Sequence, residues 1–203
     1  MPEFATRKPK LSLQGSLFAR CLALPGLFLV LLLGSFGLHA APVLTVSIKP
    51  LQLIAAAITE GVSEPLLLAG QGQDPHNLSL RPSQRRRLED ADVLLWVGPM
   101  LEAPLTRIVQ DLDADIITIQ KLPALELLLV DDNADPHVWL DTRNARVIAQ
   151  ALTATLAKSD PDNQASYTAN NRAFQAKLAA LETSIQQKLG TENDQGWAVY
   201  HHA

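Results

Sequence analysis

The chain spells Asp74–Pro75–His76 and, sixty-one residues later, Asp135–Pro136–His137, although it holds only five histidines. Imidazole nitrogen is a good ligand for zinc and its neighbours in the transition series, at about 2.0–2.1 Å. Each proline narrows the backbone ahead of its histidine, and a stiff loop lowers the entropy lost when a site assembles. Each aspartate stands two residues before its histidine. From there it can accept the ring N–H and fix the tautomer, or it can cap the local turn, and the sequence leaves both readings open. His201 and His202 follow a short apolar run near the end of the sequence. Three histidines and one oxygen would complete a tetrahedron around zinc. The separations match no compact signature such as HExxH, so the fold has to bring the ligands together. The only cysteine is Cys21, so residues 41–203 offer neither a thiolate site nor a thiol nucleophile.

The elements that must position these histidines read as alternating strands and helices. β-rich runs at 43–48, 65–68, 92–98 and 116–119 alternate with helix-forming runs at 51–59, 82–89 and 101–111. That alternation predicts an α/β fold with a four-stranded, mostly parallel sheet and flanking helices. His76 falls in the loop after the second strand, and such loops gather at the carboxyl edge of an open sheet, where ligands bind. From 142 to 190 apolar residues recur every three or four positions, as in an amphipathic helix. Pro161, inside Ser159–Asp160–Pro161–Asp162–Asn163, predicts a break or bend at 159–163. The stretch is therefore expected as two segments or one bent rod. The run at 196–200 reads as the first strand of a second α/β lobe, which His201 would close.

The first forty residues differ in kind. Arg7, Lys8, Lys10 and Arg20 precede an uncharged run from Leu22 to Leu38, and small residues follow. This is the pattern of a secretory signal peptide, with a membrane anchor as the alternative. The expected organisation is a signal peptide at 1–40, an N-terminal lobe at 41–141, a long linking helix at 142–190 and the start of a further lobe at 191–203. Net charge is −4 for the whole chain, and residues 1–40 carry four of the seventeen basic residues but one acid. The remainder is clearly acidic, which argues against a nucleic-acid partner. Arg81, Arg85, Arg86 and Arg87 read as a solvated helical face.

Four stretches together, SIKPLQLIAAAITEGV, DPHNLSLRPSQRRRLEDADVLLWVGPMLE, DPHVWLDTRNA and VYHHA, resemble the periplasmic solute-binding proteins that feed zinc to ABC importers, the cluster A-I metal-binding family. The resemblance spans residues 43–203. It implies two α/β lobes joined by a long backbone helix, with the metal in the cleft between them. It assigns the ligands to His76, His137 and His201, with Asp74 and Asp135 behind them and His202 as a weaker alternative ligand. Histidine at the third position favours Zn²⁺ as the transported ion over manganese or iron, for which relatives usually carry glutamate there. It further implies a periplasmic monomer whose partner is the membrane permease of a zinc ABC importer, and which meets the membrane only through that importer. No reaction is implied. A three-histidine metal hydrolase is the competing class, but the only acids in matched positions, Asp74 and Asp135, are better placed to orient the rings. The sequence departs from the family in three places. The family's LDP reads Leu140–Asp141–Thr142, residues 121–134 lack the metal-rich loop of many zinc-type members, and the family runs on for roughly a hundred residues beyond the third histidine. An incomplete second lobe is the further expectation, with a non-functional truncated remnant as an alternative reading.

Overall fold

The computed structural model describes residues 40–70, 72–130 and 132–190. The chain divides into two units, Met1–Ala40 and Ala41–Ala203, and all but one of the described residues belong to the second. The expected signal peptide and the expected strand at 196–200 lie outside the described residues.

Strand β1 (Leu44–Val46) pairs in parallel with β2 (Leu66–Leu67) on one side and with β3 (Val93–Trp96) on the other, and β3 pairs in parallel with β4 (Asp115–Thr118). The order β2-β1-β3-β4 means that the chain winds outward from β1 to β2, then crosses back to β3. The crevice outside the carboxyl ends of β1 and β3 is therefore a topological switch point, where ligands settle in open α/β sheets.

Period-two alternation sends β3 into two cores. Val93, Leu95 and Val97 join Leu44, Val46 and Ile48 beneath α1 (Lys49–Ile58), while Leu94 and Trp96 face the opposite layer with Leu88 and Val109. All four residues of β3 are buried, and each buried apolar side chain contributes roughly 1.5–3 kcal/mol. That opposite layer holds α2 (Pro82–Glu89), α3 (Pro99–Glu102) and α4 (Thr106–Gln110). The continuous helix expected over 101–111 is interrupted by a 3₁₀ turn at Ala103–Leu105. Pro104 has no N–H to donate and its ring crowds the preceding turn, so the α pattern cannot pass through it.

The 142–190 stretch resolves into two helices. α5 (Thr142–Ser159) ends at a 3₁₀ turn, Pro161–Asn163, and α6 (Gln164–Leu189) folds back along it. Thr142 and Arg146 at the start of α5 both bond Glu182 near the end of α6, so the pair is antiparallel. The Asp160 carboxylate makes the reversal. It accepts from Tyr167 Oη and Asn163 Nδ2, both at 2.8 Å. α5 buries Ala145, Ile148, Ala149, Leu152 and Leu156, whereas α6 buries only Tyr167 and Leu178. A small antiparallel hairpin, β5 (Leu129–Val130) and β6 (Asn133–Ala134), precedes the second triplet. Its turn uses Asp132 at φ 62°, a conformation that aspartate tolerates better than most residues. Among the described residues no helix is long and apolar enough to cross a membrane.

Candidate metal centre

Both triplets make the same backbone turn. Asp74 Oδ1 accepts from the backbone N–H of His76 at 3.0 Å, and Asp135 Oδ1 accepts from that of His137 at 2.9 Å. This i→i+2 bond is the aspartate turn that the sequence permits. The first triplet opens a 3₁₀ turn, Pro75–Asn77, and Asp74 Oδ2 also accepts from Asn77 Nδ2 at 2.9 Å. The second leads into the turn Val138–Leu140, whose first residue is buried.

The second triplet goes further. His137 Nδ1 lies 2.7 Å from Asp135 Oδ1, with the two side chains only 14% and 11% exposed. An ionised carboxylate can only accept, so Nδ1 donates, as the ring N–H of a metal-ligating imidazole does to its supporting carboxylate. Asp135 thus holds both the backbone and the ring of His137. Trp139 meets the same ring edge-on, with centroids 5.3 Å apart.

The fold brings the two imidazoles together across sixty-one residues of sequence. The His76 and His137 ring centroids lie 5.9 Å apart at 63°. Zinc bound tetrahedrally by two imidazoles at 2.0–2.1 Å would set those centroids about 5 Å apart, so a small closing movement suffices. The His137 ring borders a cleft of about 580 Å³ at the carboxyl edge of the sheet, walled also by Ile48, Pro50, Leu67, Gln73 and Trp139. Its walls are largely apolar, which weakens competition from water at any ion held there. His201 and His202 lie outside the described residues. Among the described residues no group of three or more His, Cys, Asp or Glu is placed to hold a metal ion. The described part of the centre therefore comprises two imidazoles with their supports.

Two supports under the first turn carry no motif. Gln84, buried on α2, donates to Leu68 O at 2.6 Å and to Gln73 Oε1 at 2.7 Å, and Gln73 Nε2 reaches Ser79 O at 3.3 Å. The two glutamines tie the loop around His76 to the helix that follows it. The only sequence signal is a polar residue at an inward position of α2, four before the buried Leu88. Glu102, fully buried on α3, accepts from Ser47 Oγ at 2.5 Å and from the backbone N–H of Gly98 at 2.9 Å. It joins the end of β1 to the turn after β3, where Gly98 adopts φ 122°. Burial raises the Glu102 carboxyl above its ordinary range, against hydrogen bonds from Ser47 and the Gly98 backbone that pull it down.

The second turn is anchored on its far side. Asp141 caps α5 by accepting from the Arg143 N–H at 2.8 Å, and its carboxylate also meets the Arg143 guanidinium at 2.7 Å. The hydrogen bond from Arg143 lowers the Asp141 pKa.

Comparison with known proteins places this arrangement. The family profile described as zinc-uptake complex component A, periplasmic (ZnuA), matches residues 44–203. The high-affinity zinc uptake system protein ZnuA of Yersinia pestis is 32% identical over 207 residues, covering 86% of this chain and 64% of that protein. The manganese-binding lipoprotein MntA of Halalkalibacterium halodurans is 32% identical over 122 residues, covering 59% of this chain and 40% of its own. A crystal structure of ZnuA aligns with a TM-score of 0.68 at 28% identity, over 74% of this chain and 60% of that one. The chain spans somewhat under two-thirds of the length of the zinc-uptake relatives it matches. With a profile match running from the first strand to residue 203, over a four-stranded parallel sheet, the chain belongs to the ZnuA family of periplasmic zinc-uptake components.

Proposed function

We propose that this protein captures Zn²⁺ in the periplasm and delivers it to the membrane permease of an ABC zinc importer, without catalysing a reaction. The observation that carries the reading is the approach of His76 and His137, with Asp135 holding Nδ1 of His137. His201 completes the ligand set, with Asp74 and Asp135 as the groups behind the rings and His202 as the weaker alternative. Imidazole ligands suit zinc better than the harder ions, which favour oxygen. Export follows from a signal peptide at 1–40. Residues 41–141 form the N-terminal lobe, residues 142–190 link it onward, and residues 191–203 begin a second lobe. The protein works as a monomer and reaches the membrane only through the importer. Manganese is the second reading, favoured by the match to a manganese-binding lipoprotein.

A titration of the purified protein with Zn²⁺ against a competing chelator dye tests the proposal. One-to-one binding at tens of nanomolar or tighter, on the order of −10 kcal/mol, that is lost in His201→Ala supports three histidines as the site. Weak binding unaffected by His201→Ala removes His201 from the site. A preference for Mn²⁺ in the same titration would move the assignment to the second reading.

A further inference from the structure

The loop that carries His137 is fixed at its start by Asp135, and α5 begins two residues after the turn ends at Leu140. Thr142, the first residue of α5, donates from Oγ1 to Glu182 Oε1 at 2.6 Å. One turn on, Arg146 Nη2 donates to Glu182 Oε2 at 2.7 Å. Both carboxylate oxygens of Glu182 are thus occupied by α5, and these bonds lower its pKa. Arg146 also donates to the backbone O and side-chain Oε1 of Gln175, both at 3.3 Å. These bonds lie where apolar packing between the helices has run out. α6 buries nothing beyond Leu178, and Leu181, Ile185 and Leu189 are 43–48% exposed. Over its last three turns, then, the described α6 is held to α5 by a polar clasp rather than by a core. A proline at 142 would have no hydroxyl with which to form it.

We infer that Glu182 is a positioning residue for the His137 half of the metal centre: through Thr142 and Arg146 it fixes the first turn of α5, and with it the loop that presents His137. The inference rests on the zinc reading above for its effect on the ion, but not for its effect on the loop. The clasp also directs the end of α6, and Leu189 lies twelve residues before His201. One carboxylate therefore ties the later turns of α6 to the helix that follows the His137 loop. Its energetic weight comes from two bonds sharing one acceptor group, one of them charged at both ends.

Hydrogen exchange on the metal-free, full-length protein separates positioning from general stability. Glu182→Ala is expected to speed exchange at amides 138–146 about tenfold and to leave Val93–Trp96 of β3 unchanged. It is expected to weaken Zn²⁺ binding about three- to tenfold. Thr142→Val produces part of both effects, Thr142→Ser restores wild-type behaviour, and Thr142→Val adds nothing once Glu182 is alanine. Unchanged exchange at 138–146 overturns the inference. So does an equal increase over β3, which would mark Glu182 as a general stabiliser. If wild-type protein binds no zinc, the site reading falls, and the exchange pattern alone still decides whether Glu182 positions the loop.

Discussion

The two Asp-Pro-His turns are one tripeptide in two environments. In each, the aspartate accepts from the histidine's backbone N–H, at 3.0 and 2.9 Å, because proline at the middle position leaves that turn as the easy path. The two rings differ in burial. His76 is exposed on a 3₁₀ turn, whereas His137 is largely covered, bonded at Nδ1 and braced by Trp139. Sequence identity over three residues set the backbone, and tertiary neighbours set the state of the ring. On the proposed zinc reading, the difference implies a division of labour, with His137 as the preorganised ligand and His76 as the one that adjusts to the ion.

Ligand deletion tests that division most strongly. His137→Ala is expected to weaken Zn²⁺ binding by more than the roughly 10–100-fold that loss of an outer-shell partner costs. His76→Ala should cost less, because an exposed ligand loses more freedom on binding than a covered one and so contributes less net affinity. Chelator competition on the two variants checks the order. Equal losses would mean that the two turns are equivalent in function despite their different surroundings.

Replacing the aspartates sharpens the same contrast. Asp135→Asn keeps an acceptor for one N–H but removes the charge that holds His137 Nδ1, and should weaken zinc binding about 10–100-fold. Asp74→Asn preserves the turn and is expected to stay within about threefold, since asparagine caps such turns nearly as well. Nitrogen chemical shifts of the His137 ring would report the tautomer directly. A ring protonated at Nε2 in the Asp135→Asn protein, but at Nδ1 in wild type, is the expected signature.

Much of this was legible before any coordinates. The four strands, their parallel pairing and the place of His76 after the second strand follow from alternation, and the resemblance supplied the pairing of His76 with His137. The sequence left three things undecided. Whether each aspartate served the ring or the turn depends on burial, which three identical residues cannot encode, and Asp135 proved to do both. The 142–190 stretch admitted either a bent rod or two segments. The reversal comes from a buried Asp160 satisfied by Tyr167 and Asn163, a contact invisible in helical periodicity. Gln73, Gln84 and Glu102 escaped notice because they act by filling hydrogen-bonding needs inside the lobe, and no spacing rule marks a polar residue as buried. The interruption at Ala103–Leu105 was readable from Pro104 but masked by the helix formers around it.

The turns also rest on different platforms, and the platform of the second can be loosened without touching a ligand. Tyr167 is fully buried, and its hydroxyl is held by Asp160, 5% exposed. Burial, reinforced by that carboxylate, pushes the phenol well above its ordinary range, so the group stays a donor at any working pH. Tyr167→Phe leaves a buried carboxylate one donor short and should cost about 1–3 kcal/mol in denaturant unfolding. Zinc affinity should change little as long as the Glu182 clasp holds. A large loss of affinity would show that the hairpin turn, rather than the clasp, sets the second platform.

The first platform carries the smallest expected effect, and it is one of pH. Glu102 sits with Ser47 and Gly98 beneath the sheet edge that bears His76, and burial raises its pKa in the folded protein. A raised folded pKa means that this group favours folding while it is protonated in both states, below the ordinary carboxylate range. That contribution is lost as pH climbs through the raised value. Asp141 and Glu182 have lowered pKa values and act in the opposite sense, losing their contribution as pH falls through the folded pKa, below the ordinary range. The Glu102 effect therefore has to be read as a difference between proteins. The melting temperature of wild type relative to Glu102→Gln should fall as pH rises from the ordinary carboxylate range through the raised pKa, then level off. A difference independent of pH would mean that Ser47 and the Gly98 N–H stabilise the carboxylate enough to offset its burial. The first turn would then stand on a charge, as the second does.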